Sequence, residues 1–133
     1  MRHILIVCLL GVTISVASSF AQNEQEQAHF FESLYDVPIM KGLEEIPELS
    51  LSFDKPDGRI SQAGAYAKNL KKENILAFYD ISLDQMGWKH AGIGVYTRKI
   101  EKLEISIEEM QEKAQGKQEG VFFIKFLLKP LKK

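Results

Sequence analysis

The stretch ILAFYDISLDQMGW (residues 75–88) decides the predicted fold, because it contains the clearest helical pattern in the chain. Its apolar residues recur every three or four positions, which places them on one side of a helix. The pattern predicts a helix over about 71–86, with Asn69 as the capping residue before it. Gly87 is placed to end this helix, and Trp88 to fold back onto its last turn. The predicted buried stripe consists of Ile75, Leu76, Tyr79, Leu83 and Met86, widened by Phe78.

Two strands joined by a tight turn are predicted ahead of this helix. Leu49, Leu51 and Phe53 alternate with polar residues, which is typical of a strand with one buried face. The sequence Lys-Pro-Asp-Gly at 55–58 has turn chemistry, and residues 59–67 are predicted to return as the second strand. Gly64 within the second strand indicates a bulge or a close approach to another element.

Three further strands are predicted after the helix, at about 95–98, around 103–107 and at 121–128. The polar stretch 110–119 predicts an exposed loop or a short helical excursion before the last of them. The resulting order is strand, strand, helix, strand, strand, strand, without regular alternation of strands and helices. This order predicts an α+β fold, in which a small antiparallel sheet of about five strands carries the main helix on one face.

The chain before these elements is predicted to form a lead-in and a crossing segment. Residues 22–35 begin as a polar stretch, and apolar residues at helical spacing predict a short amphipathic helix over about 25–35. Residues 36–48, with Pro38, Gly42 and Pro47, are predicted to be irregular. We expect residues 36–133 to form a single domain.

The first residues have the three parts of a secretory signal peptide. A charged start is followed by the apolar run 4–16 and by the small-residue ending Ala-Ser-Ser-Phe-Ala at 17–21. The apolar run is shorter than the ~20 residues that a membrane-spanning helix needs. We therefore expect residues 1–21 to be a signal peptide cut between Ala21 and Gln22, with an uncleaved anchor as the alternative. The predicted location is periplasmic or secreted, in a bacterium.

Composition excludes several classes of function. The 133 residues are 45% hydrophobic and 26% charged, which is typical of one globular domain. The 17 Lys and Arg residues balance the 18 Asp and Glu residues, so nucleic acid is not expected as a partner. The single cysteine, Cys8, lies in the predicted signal peptide, so the mature chain is predicted to have no thiol. Thiol catalysis and disulfides are then excluded as well.

Several sequence motifs together resemble a known kind of domain. They are F-Y-x-x-x-L-x-x-x-G-W at 78–88, DVPIM with Gly-Leu at 36–43, Ser-Phe-Asp at 52–54 and Gly-Arg-Ile at 58–60. In this order they resemble a family of small exported bacterial domains of uncharacterised function and, more remotely, the helix-on-sheet domains of envelope assembly lipoproteins. The resemblance covers most of 36–128 and implies a fold and an envelope location. It implies no catalytic residues, and the chain departs from it at 99–101 and 110–119.

Residues that could perform chemistry are few and scattered. His29 and His90 lie far apart and form no metal-binding spacing, and no serine lies in a nucleophile motif. Asp54 and Asp57 flank the predicted turn, where acids usually form local hydrogen bonds. No catalytic residue, cofactor or metal site is therefore predicted. The acidic run is Glu44, Glu45 and Glu48, and the basic cluster near the end is Lys125, Lys129, Lys132 and Lys133.

Two functions from different classes are compatible with these residues. The first is a non-catalytic envelope module that binds a protein or an envelope component, with no permanent membrane span after cleavage. The alternative is a small apolar-ligand carrier or a weakly marked hydrolase, with a pocket between the sheet and helix 71–86. The terminal lysines are expected to mask an edge strand, or else to contact an anionic membrane or an acidic partner. The candidate binding surface consists of Tyr66, Tyr79, Trp88 and Tyr96.

Overall fold

The computed structural model describes residues 27–110 and 120–132. The predicted signal peptide, its cleavage point between Ala21 and Gln22, and residues 111–119 of the predicted loop 110–119 lie outside these described residues. The first residue of that predicted loop, Met110, is instead the last residue of a strand. The described residues form an antiparallel sheet of seven strands with one α-helix, so the chain has an α+β fold. The strands are β1 (Leu43–Glu45), β2 (Leu51–Lys55), β3 (Gly58–Lys68), β4 (Lys89–Gly92), β5 (Val95–Arg98), β6 (Glu101–Met110) and β7 (Val121–Pro130).

The sheet has the order β1-β3-β7-β6-β5-β4, and β2 pairs with the first part of β3 on the same side as β1. The expected number of about five strands and the expected order of two strands, the helix and three strands are therefore wrong, because among the described residues three strands precede the α-helix and four follow it. The two additional strands, β1 and β4, have three and four residues and lie at the edges of the sheet. In three or four residues, an alternation of apolar and polar side chains cannot be recognised from the sequence. Strand β4 also carries a register shift between His90 and Gly92.

Helix α1 spans Lys72–Gln85, close to the predicted range, and buries Ile75, Tyr79 and Leu83. The predicted cap is wrong, because Asn69 adopts a left-handed conformation (φ 58°) and Lys71 occupies the cap position. The predicted helix end is confirmed. Gly87 has φ 84°, its N–H donates to the carbonyl of Asp84, and the N–H of Trp88 donates to that of Leu83. These two bonds form the usual glycine-ended helix terminus and turn the indole back under the helix.

The core lies between α1 and one face of the sheet, which we call the inner face. Alternate residues of β3, β6 and β7 point to the inner face and are almost completely buried, whereas their neighbours point to the opposite, outer face. The ring of Tyr79 on α1 lies 5.2 Å from that of Phe126 on β7, which fixes the helix to this face. The buried inner-face residues are Ala63, Ala65, Ala67, Leu103, Ile105, Ile124, Phe126 and Leu128.

The predicted amphipathic helix over 25–35 is wrong in its described part. Residues 27–38 form an irregular arm that is held by a bridge between Phe30 and Pro38. The arm buries Phe31 and Leu34 in the core, and the ring of Phe31 lies 4.6 Å from that of Phe126. The apolar residues three positions apart are therefore not one face of a helix. They are side chains that the irregular arm inserts into the core.

Candidate functional site

The four aromatic residues of the predicted binding surface do not share one surface in the structure. Tyr79, Trp88 and Tyr96 are buried in the core, each with at most 1% of its surface exposed. Tyr66 is 38% exposed and lies on the outer face of the sheet. The three buried aromatics therefore build the core around α1, and only Tyr66 is accessible to a partner.

The two buried tyrosines are anchored by their hydroxyl groups. Tyr79 donates to the carbonyl of Pro38 at 2.9 Å, and Tyr96 donates to the carboxylate of Asp80 at 2.6 Å. Burial raises the pKa of Tyr79 above its usual value. Burial raises that of Tyr96 as well, and its hydrogen bond to Asp80 adds to the effect. Both hydroxyl groups therefore act as hydrogen-bond donors that fix the helix and the arm.

The space between α1 and the sheet is filled by side chains. Ile75, Tyr79 and Leu83 of the helix are completely buried against the inner-face residues. The carrier or hydrolase hypothesis requires a pocket at this position. Since this space is packed, the structure offers that hypothesis no support here.

Residues of the family-like motifs meet in a cluster of ion pairs that sequence reasoning missed. Asp36 accepts hydrogen bonds from both Arg59 and Arg98, and Arg59 lies 2.9 Å from it. Glu101 pairs with the same two arginines, at 2.8 Å from Arg59 and 3.3 Å from Arg98. The guanidinium of Arg98 lies 4.2 Å from the centre of the Trp88 ring. The cluster ties the arm, the sheet and the end of the helix together.

The opposite charges of this cluster stabilise one another. Burial alone would lower the pKa of Arg59, but its hydrogen bond to Glu101 and the charge of Asp36 raise the pKa above its usual value. Two carboxylates neutralise two guanidinium groups, and all four side chains are 13–22% exposed. We interpret the cluster as a structural support, because its two negative charges balance its two positive charges within the fold.

The other candidate residues stay apart in the structure. His90 lies 3.7 Å from Asp80 on the exposed surface, and His29 is exposed on the arm. Asp54 lies on β2 and Asp57 in the two-residue turn between β2 and β3, and both are exposed. Within residues 27–110 and 120–132, no group of three or more His, Cys, Asp and Glu side chains could hold a metal ion.

Strand β2 reverses the expected orientation of its side chains. The expectation that Leu49, Leu51 and Phe53 form a buried face is wrong, since Leu51 is 52% exposed and Phe53 is 43% exposed. The serines on the other side make the inward contacts. Ser52 lies 2.8 Å from the buried hydroxyl of Ser61, and Ser50 donates to Ser33 on the arm. A strand that hydrogen-bonds inward through serines presents its apolar side to solvent.

The exposed side of β2 continues across the outer face of the sheet. Phe53 is the register partner of Ile60, and Leu51 that of Gln62. Further along β3 and β7, the rings of Tyr66 and Phe123 lie 6.0 Å apart. We call the resulting surface the outer patch; it consists of Leu49, Leu51, Phe53, Ile60, Tyr66, Phe123 and Leu127.

Gly64 lies in the middle of the outer patch. A Cβ atom at this position would lie 2.7 Å from Cδ1 of Leu49 and 3.4 Å from the ring of Phe123. The 3-10 turn Pro47–Leu49 thus places Leu49 directly over the backbone of β3. Of the two meanings predicted for Gly64, the close approach is confirmed, and the register of β3 with β7 runs past it without a bulge.

Charges of both signs surround the outer patch. Glu44 is the register partner of Tyr66, Glu108 that of Phe123, and Lys125 that of Gly64. Glu104 lies 2.7 Å from Lys102 and 2.8 Å from Lys129, and these hydrogen bonds lower its pKa. The patch is therefore an apolar stripe with a mixed polar border, as protein–protein interfaces have.

No family model matches the chain, and no curated protein or solved structure resembles it significantly. Among the described residues, no helix is both long enough and apolar enough to cross a membrane.

Proposed function

We propose that the chain is an exported, non-catalytic module of the bacterial envelope that binds another protein through its outer patch. The reversal of β2 carries this proposal. Leu51 and Phe53 are exposed on the outer face, while Ser52 on the opposite side of the strand lies within hydrogen-bond distance of the buried Ser61. A contiguous exposed apolar surface with a polar rim marks an interaction site.

The charges around the patch favour a protein over a membrane surface. Anionic lipids attract surfaces on which basic residues dominate. Here Glu44 and Glu108 adjoin the two aromatic rings, and Lys125 lies between them and Leu127 along the face. A partner with its own mixed charges can match this pattern, whereas a uniformly negative surface cannot.

Photo-crosslinking in cells tests the proposal. A photoreactive amino acid at Tyr66, in a chain expressed at its native level, is expected to give one reproducible adduct with another envelope protein. The matched control is Ile81, which is 64% exposed but lies on α1. The Lys125→Glu variant should reduce the Tyr66 adduct, and Lys72→Glu on the helix should not. Equal labelling from Tyr66 and Ile81, or labelling of lipid alone, would contradict the proposal.

The envelope location is tested separately. We expect the exported chain to begin at Gln22 when its intact mass is measured after osmotic release from the periplasm. The Ala21→Arg variant removes the small residue before the predicted cut and should leave the precursor uncleaved. A cytoplasmic chain of full mass would refute the location, whatever the crosslinking result.

A further inference from the structure

We infer that two copies of this chain associate edge to edge, with their β2 strands pairing antiparallel about Phe53. The inference deepens the proposed function and rests on it, because the paired sheets would join two outer patches into one larger binding face. The partner is a second copy of the chain, and the contact is the free edge of β2 (Leu51–Lys55).

Strand β2 has an open edge. Among the described residues it pairs only with β3, and all five of its residues are exposed. The unpaired N–H and C=O groups of such an edge are a template for another strand. Its register with β3 is regular from Leu51 to Lys55, so it has no bulge to twist the edge away.

The opposite edge of the sheet is less suited to pairing. Strand β4 has four residues and a register shift between His90 and Gly92. Bulges and short length are the usual ways in which proteins prevent an edge from pairing. Strand β1 has only three residues. The structure thus protects the other edges and leaves the longer, regular β2 open.

The sequence of β2, Leu-Ser-Phe-Asp-Lys, is complementary to itself in the antiparallel direction. With Phe53 on the two-fold axis, all five residues have partners. Phe53 then faces its own copy, Ser52 faces Asp54, and Leu51 faces Lys55. The aromatic pair and the hydroxyl–carboxylate pair are favourable, and no like charges meet. Moving the axis to Asp54 would place two carboxylates opposite each other.

The pairing would preserve the binding surface. Leu51 and Phe53 lie on the outer face, so antiparallel pairing places the patches of both copies on one continuous face. A single short strand pair buries less area than a standard protein–protein interface. We therefore expect a reversible dimer that strengthens when a partner spans both patches.

Cysteine trapping tests the register. In a Cys8→Ser background, an introduced thiol is the only one in the chain. Phe53→Cys should oxidise to a disulfide dimer, because residues facing each other across paired strands bring their Cβ atoms close together. Leu51→Cys should not form a homodimer, since its copy lies about 13 Å away along the strand. A mixture of Leu51→Cys and Lys55→Cys chains should form the mixed dimer, and Ile81→Cys is the collision control.

Sedimentation velocity over a range of concentrations gives an independent measurement. The unmodified chain should show a concentration-dependent dimer, and Phe53→Lys, which places like charges on the axis, should weaken it by about tenfold or more. The fluorescence of Trp88 checks that the variant is folded.

A chain that stays monomeric overturns the inference, as does a disulfide rate for Phe53→Cys no greater than for Ile81→Cys. Preferential trapping of Leu51→Cys with itself overturns the register. None of these results affects the Tyr66 adduct, so failure of the dimer can be told from failure of the proposed function.

Discussion

Replacing Asp36 with asparagine should strongly destabilise the domain, because this carboxylate is shared by two largely buried arginines. Asp36 accepts from Nη2 of Arg59 at 2.9 and 3.1 Å and from Nη2 of Arg98. Asp36→Asn leaves two guanidinium groups facing the single carboxylate of Glu101. Breaking a buried ion pair costs about 3–5 kcal/mol. Since these side chains are 13–22% exposed, water offsets part of the loss, and we expect about 2–3 kcal/mol.

Urea unfolding followed by tryptophan fluorescence measures this change. Trp88 is the only tryptophan of the chain, and the Arg98 guanidinium lies against its ring, so its emission reports on the cluster directly. The midpoint should fall with an unchanged slope, since the surface exposed on unfolding stays the same. Thermal unfolding should occur about 10 °C lower for a domain of this size.

A double-mutant cycle separates the cluster from a general loss of charge. Asp36→Asn and Arg98→Gln should be strongly non-additive, with a coupling of about 1 kcal/mol or more. Asp36→Asn and Lys102→Gln should be additive, because Lys102 contacts Glu104 instead. A cost of less than about 1 kcal/mol for Asp36→Asn, or equal couplings in the two cycles, would refute the assignment of the cluster as a structural support.

Three further variants test other parts of the structure. Glu104→Gln should cost up to about 1 kcal/mol at neutral pH. Folding lowers the pKa of Glu104, so its contribution to stability is present above the unfolded pKa of about 4.3 and is lost as the pH falls through the folded pKa. The urea midpoints of the unmodified chain and of Glu104→Gln should therefore converge in acid. Gly64→Ala should lower the melting temperature by displacing Leu49, and trimming Leu49 to alanine in the same chain should restore part of it. Tyr79→Phe should cost about 1–2 kcal/mol in urea unfolding, because the carbonyl of Pro38 loses its buried donor; an unchanged midpoint would contradict this.

The sequence predicted the elements whose signals are local. The spacing of Ile75, Tyr79 and Leu83 defined α1, and Gly87 marked its end. The Lys-Pro-Asp-Gly turn correctly joined β2 to β3. The strands β1 and β4 were missed because three or four residues are too short for a periodic signal.

The parts that depend on distant residues could not be predicted in this way. Asp36 and Arg98 are 62 positions apart, and no local pattern relates an acid in the arm to an arginine at the end of β5. The four aromatic residues of the predicted binding surface were grouped by residue type, but their burial in the fold decides what each of them does. Burial assigned Tyr79, Trp88 and Tyr96 to the core and left Tyr66 on the outer face.

Strand β2 shows why an alternating pattern can mislead about function. Alternation says that the two sides of a strand differ, but not which side faces the core. Here hydrogen bonds within the chain decide the orientation: Ser52 lies within hydrogen-bond distance of the buried hydroxyl of Ser61, and Ser50 donates to Ser33. Shifting β2 by one residue would turn its apolar side to the inner face and leave these hydroxyl groups without each other. Leu51 and Phe53 are thus kept in solvent by polar contacts behind them, and a partner that covers them gains the apolar burial that the fold itself does not use.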